Sequence, residues 1–200
     1  MERPEPKSYW NTNVARHPDI LRAVPAACRT ALDVGCGDGM LAVKLAERAQ
    51  RVVGVDKSPE MIAAARARAD LEFLTGDFLD LELPDTDYDF ICTVTTIHHM
   101  DFEAALTRMR ELLRPGGVLV VVGMAREKSP ADWASLLAVA PLVRAIKLLR
   151  RASAPEGMPV AEASLTYAEV RSAARRLLPG VRWRRHVLRR YSLTWTKPLH

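Results

Sequence analysis

The sequence predicts a three-layer α/β sandwich, with a mainly parallel sheet closed by an antiparallel C-terminal hairpin. Three observations carry this. Short apolar runs alternate with helical patterns through residues 30–123, which is the signature of repeated strand–helix–strand units. The runs are continuous rather than alternating, as strands buried on both faces should be. Near the C terminus, two further strand segments, around Arg182–Leu188 and Tyr191–Thr196, lie only about two residues apart, too close for a crossover, so they must pair antiparallel.

Each element has a local reason. Residues 1–13 read as a loose arm anchored by Tyr9 and Trp10, followed by a helix over His17–Val24. Thr30–Gly35 is the first strand. Asp38 is placed to cap a helix over Gly39–Ala49, with Leu41, Leu45 and Ala49 on one face. Arg51–Asp56 is the second strand. Ser58 and Pro59 then start a helix that runs to Ala69. Leu71–Thr75 and Tyr88–Val94 are strands three and four, and Phe102–Leu113 is the next helix. Arg114-Pro115-Gly116-Gly117 stops that helix and turns into strand five, Val118–Gly123. A helix is expected over Ala131–Arg151 and a loop over Ala152–Ala163. Thr166 and Glu169 form a capping-box pattern before a helix over Tyr167–Leu177. Arg182–Leu188 and Tyr191–Thr196 are the hairpin strands.

At 200 residues and 48% hydrophobic, the chain reads as one domain, 1–200, able to bury a real core. Within it, 1–29 form the arm and first helix. The opening residues lack a signal-peptide pattern, and the longest apolar stretch, Trp133–Leu149, carries Pro141, Arg144 and Lys147. A cytoplasmic protein without a membrane span is expected. Three cysteines without ligand spacing suit a reduced protein without a metal site. The net charge of +5 is uneven, since Arg144–Arg190 carries twelve Lys or Arg against three Glu. These are read as solvated faces rather than as a nucleic-acid surface.

The most informative stretch is Ala31-Leu32-Asp33-Val34-Gly35-Cys36-Gly37-Asp38-Gly39. An apolar strand ends in an acid, and glycines at every second position let backbone approach a ligand closely. Met40 stands where a dinucleotide fingerprint needs its third glycine, so that pattern is not met. Asp56 ends the second strand, where a carboxylate can accept hydrogen bonds from both ribose hydroxyls. Gly76-Asp77-Phe78 follows strand three, and Thr93-Val94-Thr95-Thr96 ends strand four.

The D-x-G-x-G-x-G loop, those strand ends and the Leu-Leu-Arg-Pro-Gly-Gly run together resemble the class I S-adenosylmethionine-dependent methyltransferases over residues 30–123. The resemblance implies a Rossmann-like, seven-stranded sheet with S-adenosylmethionine as cofactor. It places Gly35, Cys36 and Gly37 against the methionine and ribose portions, and Asp33 near the ammonium, often through water. Asp56 and Lys57 fall beside the ribose, Asp77 and Phe78 beside the adenine, and Thr93 and Val94 near the sulfonium. His99 is the candidate general base and His98 reads as packing.

The expected function is methyl transfer to a small-molecule acceptor by in-line displacement. A non-catalytic S-adenosylmethionine-binding protein is the alternative, with an RNA methyltransferase behind it. The strand-four end lacks the Asn/Asp-Pro-Pro-aromatic motif of base methyltransferases, and Cys92 follows Ile91 rather than proline. Met124–Ala163 is expected to form a lid over the acceptor, on an inserted helix apolar almost all round. The assembly is expected to be a monomer or homodimer.

Overall fold

A computed structural model describes residues 9–127, 140–141, 144–145, 148–149, 163–186 and 189–199. Seven strands form one sheet: β1 (Cys28–Val34), β2 (Ala49–Asp56), β3 (Glu72–Thr75), β4 (Tyr88–Val94), β5 (Leu113–Met124), β6 (Arg182–Arg185) and β7 (Arg190–Thr196). Their spatial order is β3-β2-β1-β4-β5-β7-β6. The first five run parallel, whereas β7 pairs antiparallel with both β5 and β6. The predicted architecture is therefore present.

Helices cover both faces: α1 (His17–Ala23), α2 (Met40–Leu45), α3 (Pro59–Arg68), α4 (Phe102–Leu112) and α5 (Tyr167–Leu177). Alternate strand residues feed two cores. Leu32, Ile91 and Val121 pack with Leu106 and Met109 of α4. Ala31, Phe90 and Val120 pack with Leu41 and Leu45 of α2 and Ile62 of α3. Each such large side chain, withdrawn from water, stabilises the fold by about 1.5–3 kcal/mol. Ser58 caps α3, its hydroxyl accepting from the Met61 N–H at 3.2 Å, and Thr166 and Glu169 complete the capping box of α5.

Several local expectations are corrected. Asp38 lies one residue before left-handed Gly39, which holds the cap position of α2 without a side-chain cap bond of its own; Asp38 Oδ1 accepts the Met40 N–H at 3.4 Å and the Tyr9 hydroxyl at 3.1 Å, while Oδ2 pairs with Arg68. That helix ends at Leu45, because Ala49 is already paired with Cys28 across the sheet. Arg114–Gly117 does not precede a strand but bulges within β5: Tyr88 pairs with Leu113, and Phe90 next pairs with Val118. The bulge is held by the Arg114 guanidinium against the buried Asp89 carboxylate, which also accepts the Thr30 N–H at 2.8 Å. Strand β6 stops at Arg185, because the His186 N–H closes the turn onto the Arg190 carbonyl at 2.8 Å with Arg189 left-handed. Most of the expected helix 131–151 and lid 124–163 lies outside the described residues. Where it is described, Leu149 is helical and exposed.

Candidate functional site

The strand order reverses at β1, whose neighbours β2 and β4 carry their following chain to opposite faces. Ligands of open α/β sheets bind at such a point, beyond the carboxyl ends of the strands. A cavity of about 260 Å³ lies there, walled by the ends of β1, β2, β3 and β4.

The loop after β1 is fixed to the tip of β2. The Gly35 and Cys36 N–H groups donate to the Val55 carbonyl at 2.7 and 3.0 Å, and the Gly37 N–H donates to Asp56 Oδ2 at 2.9 Å. Both glycines have positive φ, +73° and +53°, which L side chains rarely adopt. They differ in what surrounds them. A Cβ on Gly35 would overlap the Thr96 side chain, whereas one on Gly37 would meet nothing within 4 Å. Gly35 lets the β1 and β4 loops pack together. Gly37 leaves space open beside the cavity.

Asp56 has its second oxygen on the Ser58 N–H at 3.0 Å. Each carboxylate oxygen thus retains acceptor capacity on the cavity wall. The Asp56 carbonyl accepts the Gly76 N–H at 3.0 Å, which brings the β3 loop alongside. There Asp77 Oδ1 accepts from the Leu79 N–H at 2.9 Å, and its carbonyl accepts from Leu81 at 2.9 Å, so the acid is held in a turn. The Phe78 ring packs in the core on the α4 side, with the Arg108 guanidinium 5.3 Å from its centroid.

The β4 end contains the strained residue. Thr95 has φ +56°, an outlying conformation for a β-branched residue. It is held on two sides: its N–H donates to the Val122 carbonyl at 2.6 Å, and its hydroxyl donates to Asn13 Oδ1 at 3.0 Å. Asn13 also accepts from the buried Arg190 guanidinium, which donates to Thr12 Oγ1 at 2.8 Å. Burial, then the nearby Arg16 charge, lowers the Arg190 pKa to about 10. These contacts bring Asn13 to the cavity wall. His98 and His99 follow on a 3-10 turn, Ile97–His99, with ring centroids 4.2 Å apart. Burial, then the Lys57 charge, holds the His99 imidazole below its ordinary range, so it is neutral at pH 7 and able to accept a proton.

Of the predicted residues, Gly35, Gly37, Asp56, Lys57, Asp77, Phe78, Val94, His98 and His99 line the cavity. Asp33, Cys36 and Thr93 stand behind the wall. Asp33 is 1% exposed; its Oδ1 accepts from the Cys92 thiol at 3.6 Å, and its Oδ2 has no hydrogen-bond partner. Desolvation is the main cause of its pKa rising to about 7. The Cys36 thiol fills the space above Gly54, and burial pushes its pKa far up. Thr93 is fully buried. Thr95 and Thr96 of the strand-four end also line the cavity, as does Met124, the first residue of the expected lid; Asn13, Val55, Met61 and Met100 line it without having been expected to. Among the described residues, no group of His, Cys, Asp or Glu is placed to hold a metal, and no helix is long and apolar enough to cross a membrane.

Comparison with known proteins agrees with this geometry. Residues 31–117 match the family model described as "Methyltransferase domain". An uncharacterized methyltransferase of Mycobacterium tuberculosis is 35% identical over 198 residues, covering 95% of this chain and 98% of its own. An S-adenosylmethionine-dependent methyltransferase from Mesorhizobium loti superposes with a TM-score of 0.64 at 19% identity, over 92% of this chain and 98% of its own. A TehB-like enzyme from Corynebacterium glutamicum gives 0.60 at 16%, over 90% and 86%. At these identities the two structures speak for the fold alone. The coverage of the mycobacterial relative, the matched domain and the seven-stranded sheet together place the chain in the S-adenosylmethionine-dependent methyltransferase family.

Proposed function

We propose that the chain transfers the methyl group of S-adenosylmethionine to a small-molecule acceptor at the end of β4. The observation that carries this reading is the convergence of Asp56, Asp77 and the β4 end on one cavity at the point where the strand order reverses. The donor set suits that cofactor. Asp56 accepts from the ribose hydroxyls and Asp77 from the adenine amine, while Gly37 leaves room where a side chain would intrude. Asp33, behind the wall with a buried oxygen lacking a partner, would act on the ammonium only indirectly, through water. When bound, the cofactor supplies a methyl group on an already activated sulfonium. The chain's own task is therefore alignment and exclusion of water. His99, neutral at pH 7, takes a proton from an acceptor that must lose one.

The test is Asp56→Ala, with binding of S-adenosylhomocysteine measured by isothermal titration. Losing the carboxylate's hydrogen bonds, each about 1.5–3 kcal/mol, should weaken binding at least tenfold. Full retained affinity overturns the site assignment. Tight binding of S-adenosylhomocysteine, with no methylated product from a broad acceptor panel, favours a non-catalytic cofactor binder instead.

A further inference from the structure

The cofactor cavity has a neighbour. A second cavity, of about 400 Å³, is lined by His98, Met100 and Met124, all three of which also line the first. Its size falls in the range of pockets that enclose a small organic ligand. The far wall is apolar: Ile97, Phe102 and Val170 are buried there, and Leu165 and Tyr191 complete it.

Two carboxylates border this cavity. Asp101 Oδ1 accepts the Ala104 N–H at 2.8 Å as the cap of α4. Glu103 pairs with Arg176 at 2.5 Å across the surface of α4 and α5. No lysine or arginine is among the described lining residues. A buried anion left without a cation or donor is strongly penalised, and the two carboxylates add repulsion. The lining therefore selects against a negatively charged guest.

We propose, resting on the reading above, that this second cavity is the acceptor chamber and that it takes a molecule without a negative charge. Met100 and Met124 form the neck between acceptor and cofactor, and Leu165 and Ser164 border the distal part. Methionine suits such a neck because its unbranched side chain adapts to different guests.

The test is equilibrium binding, with N-phenyl-1-naphthylamine as a neutral fluorescent probe and S-adenosylhomocysteine as the cofactor ligand. The probe should bind in the presence of saturating S-adenosylhomocysteine. Leu165→Trp and Ser164→Trp, which narrow the chamber away from the first cavity, should weaken the probe at least tenfold while cofactor affinity stays within twofold. In the same assay 1-naphthol should compete better than 1-naphthoate. Three results overturn the proposal: displacement of the probe by S-adenosylhomocysteine, unchanged probe affinity in both folded variants, or equal competition by naphthoate and naphthol. Failure of the cofactor reading is separate, since it appears as full S-adenosylhomocysteine affinity in Asp56→Ala.

Discussion

Gly37→Ala separates the folding role of the glycine loop from its ligand role. The backbone at Gly37 has φ +53°, so alanine pays the left-handed penalty, about 1–2 kcal/mol. No steric term adds to it, because the new methyl would meet nothing within 4 Å. For a domain of this size, about 1 kcal/mol lowers Tm by roughly 2–4 °C. The variant should therefore fold and melt only a few degrees lower. The methyl would, however, enter space beside the cavity that Gly37 lines, so S-adenosylhomocysteine affinity should fall at least tenfold by isothermal titration. Gly35→Ala is the internal contrast. Its methyl would overlap Thr96, so its loss of Tm should exceed that of Gly37→Ala. A folded Gly37→Ala that binds S-adenosylhomocysteine within twofold of wild type would refute the claim that the gap at Gly37 serves the ligand.

Two further outcomes follow from buried charges. Arg190→Met removes the donor that holds Thr12 and Asn13, so limited proteolysis should cut the N-terminal arm faster and S-adenosylhomocysteine should bind about tenfold more weakly, matching a charge-assisted hydrogen bond of about 1.5–3 kcal/mol. Unchanged cleavage and affinity would show that the arm is held by other contacts. Asp33 keeps its proton up to about pH 7 in the folded protein, against 3.8 ordinarily; its contribution to stability is thus full below pH 3.8 and is lost as pH rises through 7, a change of about 4 kcal/mol at most. Asp33→Asn should flatten that window in urea-denaturation midpoints, and identical pH profiles for variant and wild type would contradict the buried, proton-retaining carboxyl.

The parts that were legible in the sequence are those where one physical rule dominates. Apolar runs marked the central strands and the short C-terminal spacing marked the hairpin, and the Ser58 and Thr166 hydroxyls cap their helices while also donating to Glu60 and Glu169 in the same turn. Asp38 serves the start of α2 through Oδ1, but from the position before the cap, and its other oxygen goes to Arg68, thirty residues away, a partner that no local pattern reports. The Arg-Pro-Gly-Gly segment looked like a turn because its residues favour turns. Its place within β5 depends on Asp89 of the neighbouring strand, which no local pattern reports.

The same division runs through the site. Asp56 and Asp77 could be found because their chemistry is carried by residue type and position after a strand. The place of Thr95 at the strand-four end was legible in the same way, but its conformation was not, since a β-branched residue at a strand end gives no sign of positive φ. Its conformation depends on Asn13, 82 positions away, and Asn13 in turn is held by Arg190 from β7. The part of the cavity at the ends of β1, β2 and β3 is thus set by local strand–loop units, whereas the part at the β4 tip is assembled through contacts from Asn13 and from Arg190 of the C-terminal hairpin.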